Sequence, residues 1–134
     1  MRIEVPMLPP IEYSPNWRGH WAQRYKAGKV YQMAVFALCV DYRNRQMSAS
    51  AAWCPFEQSI LNLTFVFRDR RKERDEDNLR ARFKPGQDAL VQAELIKSDT
   101  QRHLVMGTIT IEVDRKRAPS TIIELEDACK PPQQ

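Results

Sequence analysis

Leu61-Asn62-Leu63-Thr64-Phe65-Val66-Phe67-Arg68 is the stretch on which the fold turns. In an extended chain Leu61, Leu63, Phe65 and Phe67 fall on one side, with Asn62, Thr64 and Arg68 among their neighbours on the other. No other segment alternates so cleanly, and residues 59–68 read as a strand with one face in a core. Towards the N-terminus, Ile3, Val5 and Met7 alternate as a shorter strand that Pro9-Pro10 stops, and Ser14 to Gly19 is rich in bend-forming residues. A helix follows, from Trp21 or Lys29 to Arg45, in which Val30, Met33, Ala34, Ala37 and Val40 recur at helical spacing. Gly28 leaves its start open. Beyond the central strand, Pro85 fits the first turn of a second helix that continues through Glu94. Val105, Ile109, Ile111 and Val113 alternate as a third strand and Thr121 to Leu125 form a fourth, with Arg115 to Pro119 as the turn of a hairpin. The order β-α-β-α-β-β predicts one α+β (mixed α/β) domain over residues 1–126, a mixed four-stranded sheet covered by two helices. Residues 127–134, with Pro131-Pro132, read as a flexible tail.

A chain of 134 residues can bury one real core and not two. Its net charge of +4 suggests an anionic partner, with nucleic acid ahead of a membrane surface. Cys39, Cys54 and Cys129 form neither a Cys-x-x-Cys pair nor a Cys/His cluster, which argues against a zinc site. Three free thiols and the lack of an apolar signal core in Met1-Arg2-Ile3-Glu4-Val5 fit a soluble protein of a reducing cytoplasm. The longest apolar run, Met33 to Val40, is too short to span a bilayer.

The central strand runs straight into a charge block. From Arg68 to Lys84 there are eight Lys/Arg (68, 70, 71, 72, 74, 80, 82, 84) and five Asp/Glu (69, 73, 75, 76, 77). Asp75 and Asp77, two apart in an extended segment, would point to the same side and repel unless a cation lay between them. Hard carboxylate oxygens select Mg²⁺ or Mn²⁺ over zinc. Asp99 would supply a third carboxylate if the loop after Leu95 folds back. The plainer alternative is a solvated acidic spot, with Arg70, Arg71, Lys72, Arg74, Arg80, Arg82 and Lys84 pairing with Asp69, Glu73 and Glu76 at the surface. Carboxylates for a metal, ringed by cations for phosphate, are instead the parts of a phosphodiesterase. Composition alone leaves both readings open.

Arg74-Asp75-Glu76-Asp77-Asn78-Leu79, then Lys84-Pro85-x-x-Asp88-Ala89-Leu90, then Asp99, resembles the RusA-type Holliday junction resolvases. Ser14-Pro15-Asn16 with Arg18 and His20 is similar to the N-terminal loop of that family, and the resemblance spans roughly residues 5–125. It implies a homodimeric endonuclease that resolves branched DNA, four-way junctions above all, by paired symmetric nicks using Mg²⁺, with Mn²⁺ as a substitute. Asp75, Asp77 and Asp99 would be its metal-binding carboxylates, Lys84 its active-site lysine and Asn78 a support behind the carboxylates. The chain departs from the pattern in two places. Four residues, Arg80-Ala81-Arg82-Phe83, separate Leu79 from Lys84 where the family often has one, which leaves Arg80 or Arg82 as rivals for the lysine's role. Ser98 stands where the closing acid is often doubled.

Other residues carry weaker signals. Arg18, His20, Arg24, Lys26 and Lys29 would form a DNA-backbone face, against the alternative of an ordinary solvated helix start. Trp17 and Trp21 are suited either to stacking on unpaired bases or to packing a loop on the sheet. His103 alone is more often a packing residue than a phosphate ligand. Two other functions stay in view: a phage-type nuclease with looser preference for branched or single-stranded DNA, and a non-catalytic basic DNA-binding module.

Overall fold

The computed structural model describes residues 1–47, 53–69 and 76–128. The elements run β1 (Arg2–Val5), a 3₁₀ turn (Ile11–Tyr13), α1 (Trp21–Gln46), β2 (Ser59–Phe67), α2 (Glu76–Arg82), α3 (Lys84–Gln92), β3 (Leu104–Val113) and β4 (Ser120–Asp127). The strands form one mixed sheet in the order β1-β4-β2-β3, so the fold is α+β as expected. β2 pairs in parallel with β3 (Phe65↔Ile111) and antiparallel with β4 (Leu63↔Ile123), and β1 closes the other edge against β4 (Ile3↔Ile123).

The expected hairpin between the last two strands is a correction. β3 and β4 lie on opposite sides of β2. The Asp114 amide donates to the Phe67 carbonyl (2.8 Å), so the connection crosses the end of β2 and delivers β4 to its far side. The turn chemistry itself is present: the Asp114 carboxylate accepts from the Lys116 amide (2.9 Å). What no local pattern reveals is the strand beneath it. β4 also extends to Asp127, and the Ala128 amide bonds the Gln58 carbonyl (2.9 Å), so the ordered region outruns residue 126. Residues 129–134 of the expected tail lie outside the described residues.

α1 starts at the earlier of the two expected positions, and Gly28 sits inside it. A Cβ there would come 2.5 Å from the Tyr13 ring, so the glycine is the seat of the 3₁₀ turn and not a break. The buried positions of α1 are Gly28, Tyr31, Val35 and Cys39, spaced three and four apart. The helical period holds, but the buried face is a different one: Val30 and Met33 are 52% and 69% exposed. Tyr31 joins the core because its hydroxyl donates to the Thr121 hydroxyl at 3.0 Å, which satisfies the polar end of a ring that is otherwise wholly enclosed. It meets Leu61, Leu63, Phe65 and Phe67 of β2 in a single apolar cluster with Ile123, Leu90 and Phe83. Fully burying each such side chain stabilises by about 1.5–3 kcal/mol.

The second expected helix is two. α2 occupies residues expected to be extended, which is a further correction: Asp77 lies in a first helical turn. Leu79, wholly buried on its inner face, anchors that helix, and carboxylates in a first turn suit the helix dipole. Among the described residues no helix is long and apolar enough to cross a membrane.

Candidate active site

The backbone of Phe83 is helical (φ −77°, ψ −7°), and its amide donates to the Leu79 and Arg80 carbonyls at 3.0 and 3.2 Å. On the other side the Gly86 and Gln87 amides donate to the Phe83 carbonyl at 2.8 and 3.2 Å. α2 thus passes into α3 along a helical path. Residues seven and eleven apart return to the same side of such a path, since the helix repeats every ~3.6 residues. Asp77, Lys84 and Asp88 have that spacing. The four-residue spacer before Lys84 closes α2 and carries the lysine to the first position of α3.

Asp99 comes back to this face. Glu94 takes a left-handed conformation (φ 61°) that ends α3, and the Leu95 amide closes the turn on the Leu90 carbonyl (3.1 Å). Phe56 holds the returning chain through its amide bond to the Leu95 carbonyl (2.8 Å). The loop lands Asp99 on the Lys84 ammonium, which hydrogen-bonds the Asp99 carboxylate and pairs with Asp88 at 3.0 Å. The Asp99 bond is the main cause that raises the Lys84 pKa above its ordinary value; partial desolvation opposes it and Asp88 adds to it. Lys84 therefore presents a positive charge at neutral pH.

The rivals for its role are placed differently. Arg82 is buried, and its guanidinium donates to the Pro9 carbonyl (2.6 Å), tying α2 to the chain before the 3₁₀ turn. That location removes it from any DNA-facing surface. Arg80 is exposed and lines, with Gln87, Gln101 and Asp99, an open groove of about 550 Å³ against the start of β3. Asn78 Oδ1 is buried and meets no hydrogen-bond partner among the described residues. Asp75, Arg70, Arg71, Lys72 and Arg74 lie outside the described residues.

Among the described residues no trio of His, Cys, Asp or Glu is placed to hold a metal ion. The Asp88 and Asp99 carboxylates that meet Lys84 are hard-oxygen donors of the type that Mg²⁺ and Mn²⁺ prefer. The expected ligand set of Asp75, Asp77 and Asp99 thus has two described members, with Asp99 already bound to Lys84.

The expected DNA-backbone residues Arg18, His20, Arg24, Lys26 and Lys29 are all exposed, in and before the first turns of α1. His20 also has a structural role, because its Nδ1 accepts from the Ala22 amide (3.1 Å) and caps the helix. His103 Nδ1 lies 2.8 Å from the Glu57 carbonyl, a packing role. The 3₁₀ turn touches both α1 and α2, and α3, which carries Lys84 and Asp88, packs on α1. Asp88 is the site residue that motif reading undervalues. Its i,i+4 spacing from Lys84 is the available signal.

No known family model matches the chain, and no curated protein matches it significantly.

Proposed function

We propose that the chain is a Mg²⁺-dependent, structure-selective endodeoxyribonuclease of the RusA type that resolves four-way DNA junctions by paired nicks. The observation that carries this reading is the Lys84 ammonium, shared by Asp88 on its own helix and Asp99 from the returning loop. Asp75, Asp77 and Asp99 would hold a Mg²⁺ or Mn²⁺ ion, which when bound supplies water activation and charge neutralisation at a phosphate. Lys84 offers a permanent positive charge to the non-bridging phosphate oxygens as negative charge builds on them. Asp88 and Asp99 hold that ammonium in place, so that it need not reorganise as the reaction proceeds. Arg80, in the groove beside Asp99, grips the flanking strand.

Paired cuts on a two-fold symmetric junction call for two sites, hence a homodimer. The exposed apolar side of α1 around Val30 and Met33 supports self-association. A monomeric mass by light scattering at micromolar concentration would overturn the dimer. The reading places the enzyme in DNA recombination and repair in the cytoplasm.

The deciding experiment is nicking of a synthetic mobile four-way junction beside a linear duplex, with and without Mg²⁺. Wild type should nick the junction only with Mg²⁺. Asp77→Asn should keep junction binding and lose nicking by roughly 10²–10³-fold, the scale of losing one preorganised electrostatic group. Tight junction binding by wild type with no cutting at any Mg²⁺ or Mn²⁺ concentration would replace the enzyme with a basic DNA-binding module.

A further inference from the structure

Tyr13, Trp17, Trp21 and Tyr25 recur every fourth residue, inside a stretch from Tyr13 to Val40 that contains no Asp or Glu and carries Arg18, Arg24, Lys26 and Lys29. The structure divides these rings into two pairs. Tyr13 lies under the Arg24 guanidinium (4.5 Å to the ring centre) and against Gly28, and Trp17 buries its Nε1 and packs over Gly19. Tyr13 holds the loop to the helix, and Trp17 packs within the loop. Trp21 and Tyr25 do neither: they are 73% and 58% exposed, one turn apart on the same side of α1. The His20 ring stacks against Trp21 (5.7 Å between centres, 29° between planes), and the Lys29 ammonium stands 5.5 Å from the Tyr25 ring centre.

Two large rings left open to water, in a cationic stretch that holds no acid of its own, favour a ligand with flat apolar faces and a polyanionic backbone. We propose that Trp21 and Tyr25 form a stacking platform for unpaired DNA bases, with Arg18, Lys26 and Lys29 taking the phosphates of the same single strand. The spacing suits a single strand and not a duplex. Four residues of helix separate the rings by ~6 Å, against ~3.4 Å between stacked bases of a duplex strand, whose faces are in any case occupied. A flexible single strand can spread its bases to meet both rings, and base-on-aromatic stacking tolerates any sequence. The inference rests on the junction-nuclease reading for its setting, since branch points are where unpaired bases arise, and it names the part of that substrate that α1 contacts.

The test is fluorescence anisotropy of a labelled twenty-nucleotide oligo(dT) in EDTA, alongside an abasic oligomer of equal length and an equal-length duplex. Trp21→Ala should weaken oligo(dT) binding about tenfold, within the range known for loss of one base–aromatic stack. Tyr25→Ala should weaken it by several-fold, and Trp21→Phe should restore most of the loss. Abasic oligomer and duplex should bind all variants equally. Both rings are exposed, and unchanged thermal melting of each variant checks that the fold is intact. Equal oligo(dT) affinity of wild type, Trp21→Ala and Tyr25→Ala overturns the platform and leaves only charge. Because no metal is present and no cutting is scored, a chain that never nicks DNA would pass or fail this test independently.

Discussion

Lys84 is the residue on which charge and geometry agree best. Its ammonium is held by two carboxylates from different parts of the chain, and that pairing keeps it protonated throughout the range in which an enzyme works. Lys84→Ala should reduce Mg²⁺-dependent nicking by roughly 10²–10³-fold while junction binding changes little. Lys84→Arg should recover only part of the activity, because a planar fork cannot sit between Asp88 and Asp99 as a compact ammonium does. Single-turnover nicking and electrophoretic binding measured together check both; a variant that binds and cuts like wild type removes Lys84 from the site. At this scale the sequence is informative where chemistry is local. Asp77, Lys84, Asp99 and the i,i+4 partner Asp88 are all visible as spaced charges. Arg82 is not, because its burial depends on a carbonyl at Pro9, far away in the chain.

Among the elements, the turn that ends α3 decides where Asp99 arrives. Glu94 holds a left-handed conformation that a side chain resists and glycine adopts freely. Its ion pair with Arg43 is long, at 4.0 Å, with the Glu94 carboxylate largely in solvent, and offsets little of that strain. Glu94→Gly should therefore raise the unfolding free energy by about 0.5–1 kcal/mol, read as a higher urea midpoint at unchanged slope. A lower midpoint would show that the Glu94 side chain does more than tolerate its position. α1 teaches the limit of pattern reading. It carries apolar residues on two sides, and periodicity reports that a helix exists without saying which side the sheet will cover. The sheet covers Tyr31, Val35 and Cys39, a choice set by tertiary fit to Thr121 and β2. α2 escapes pattern reading because its apolar anchor, Leu79, stands alone among charges.

For the molecule as a whole, the core sets an alkaline limit. Burial pushes the Cys39 thiol up to about 12 from 9.0, and pushes the Tyr31 hydroxyl upward despite its bond to Thr121. Above pH 9 the unfolded chain releases these protons while the folded chain keeps them, so stability is complete below about 9 and is lost as pH climbs towards 12. Each retained proton tilts the unfolding free energy by about 1.4 kcal/mol per pH unit. Urea unfolding at intervals from pH 8 to 10.5 should show the decline, and Cys39→Ala should show it shallower by one proton; identical slopes would refute a buried, protonated thiol. The sheet order is the least legible feature at this scale. Strand existence follows from local alternation, but nothing local to residues 104–127 says that β2 will stand between β3 and β4. β4 fills the slot between β1 and β2, and Arg2 pairs with Glu124, so β1 has no sheet neighbour until β4 is delivered. At translation speeds of 5–20 residues per second, roughly 6 to 24 seconds pass before β1 gains its sheet neighbour. The sheet therefore closes only when its two sequence-distant ends meet, and β1 adds to it last or together with β4.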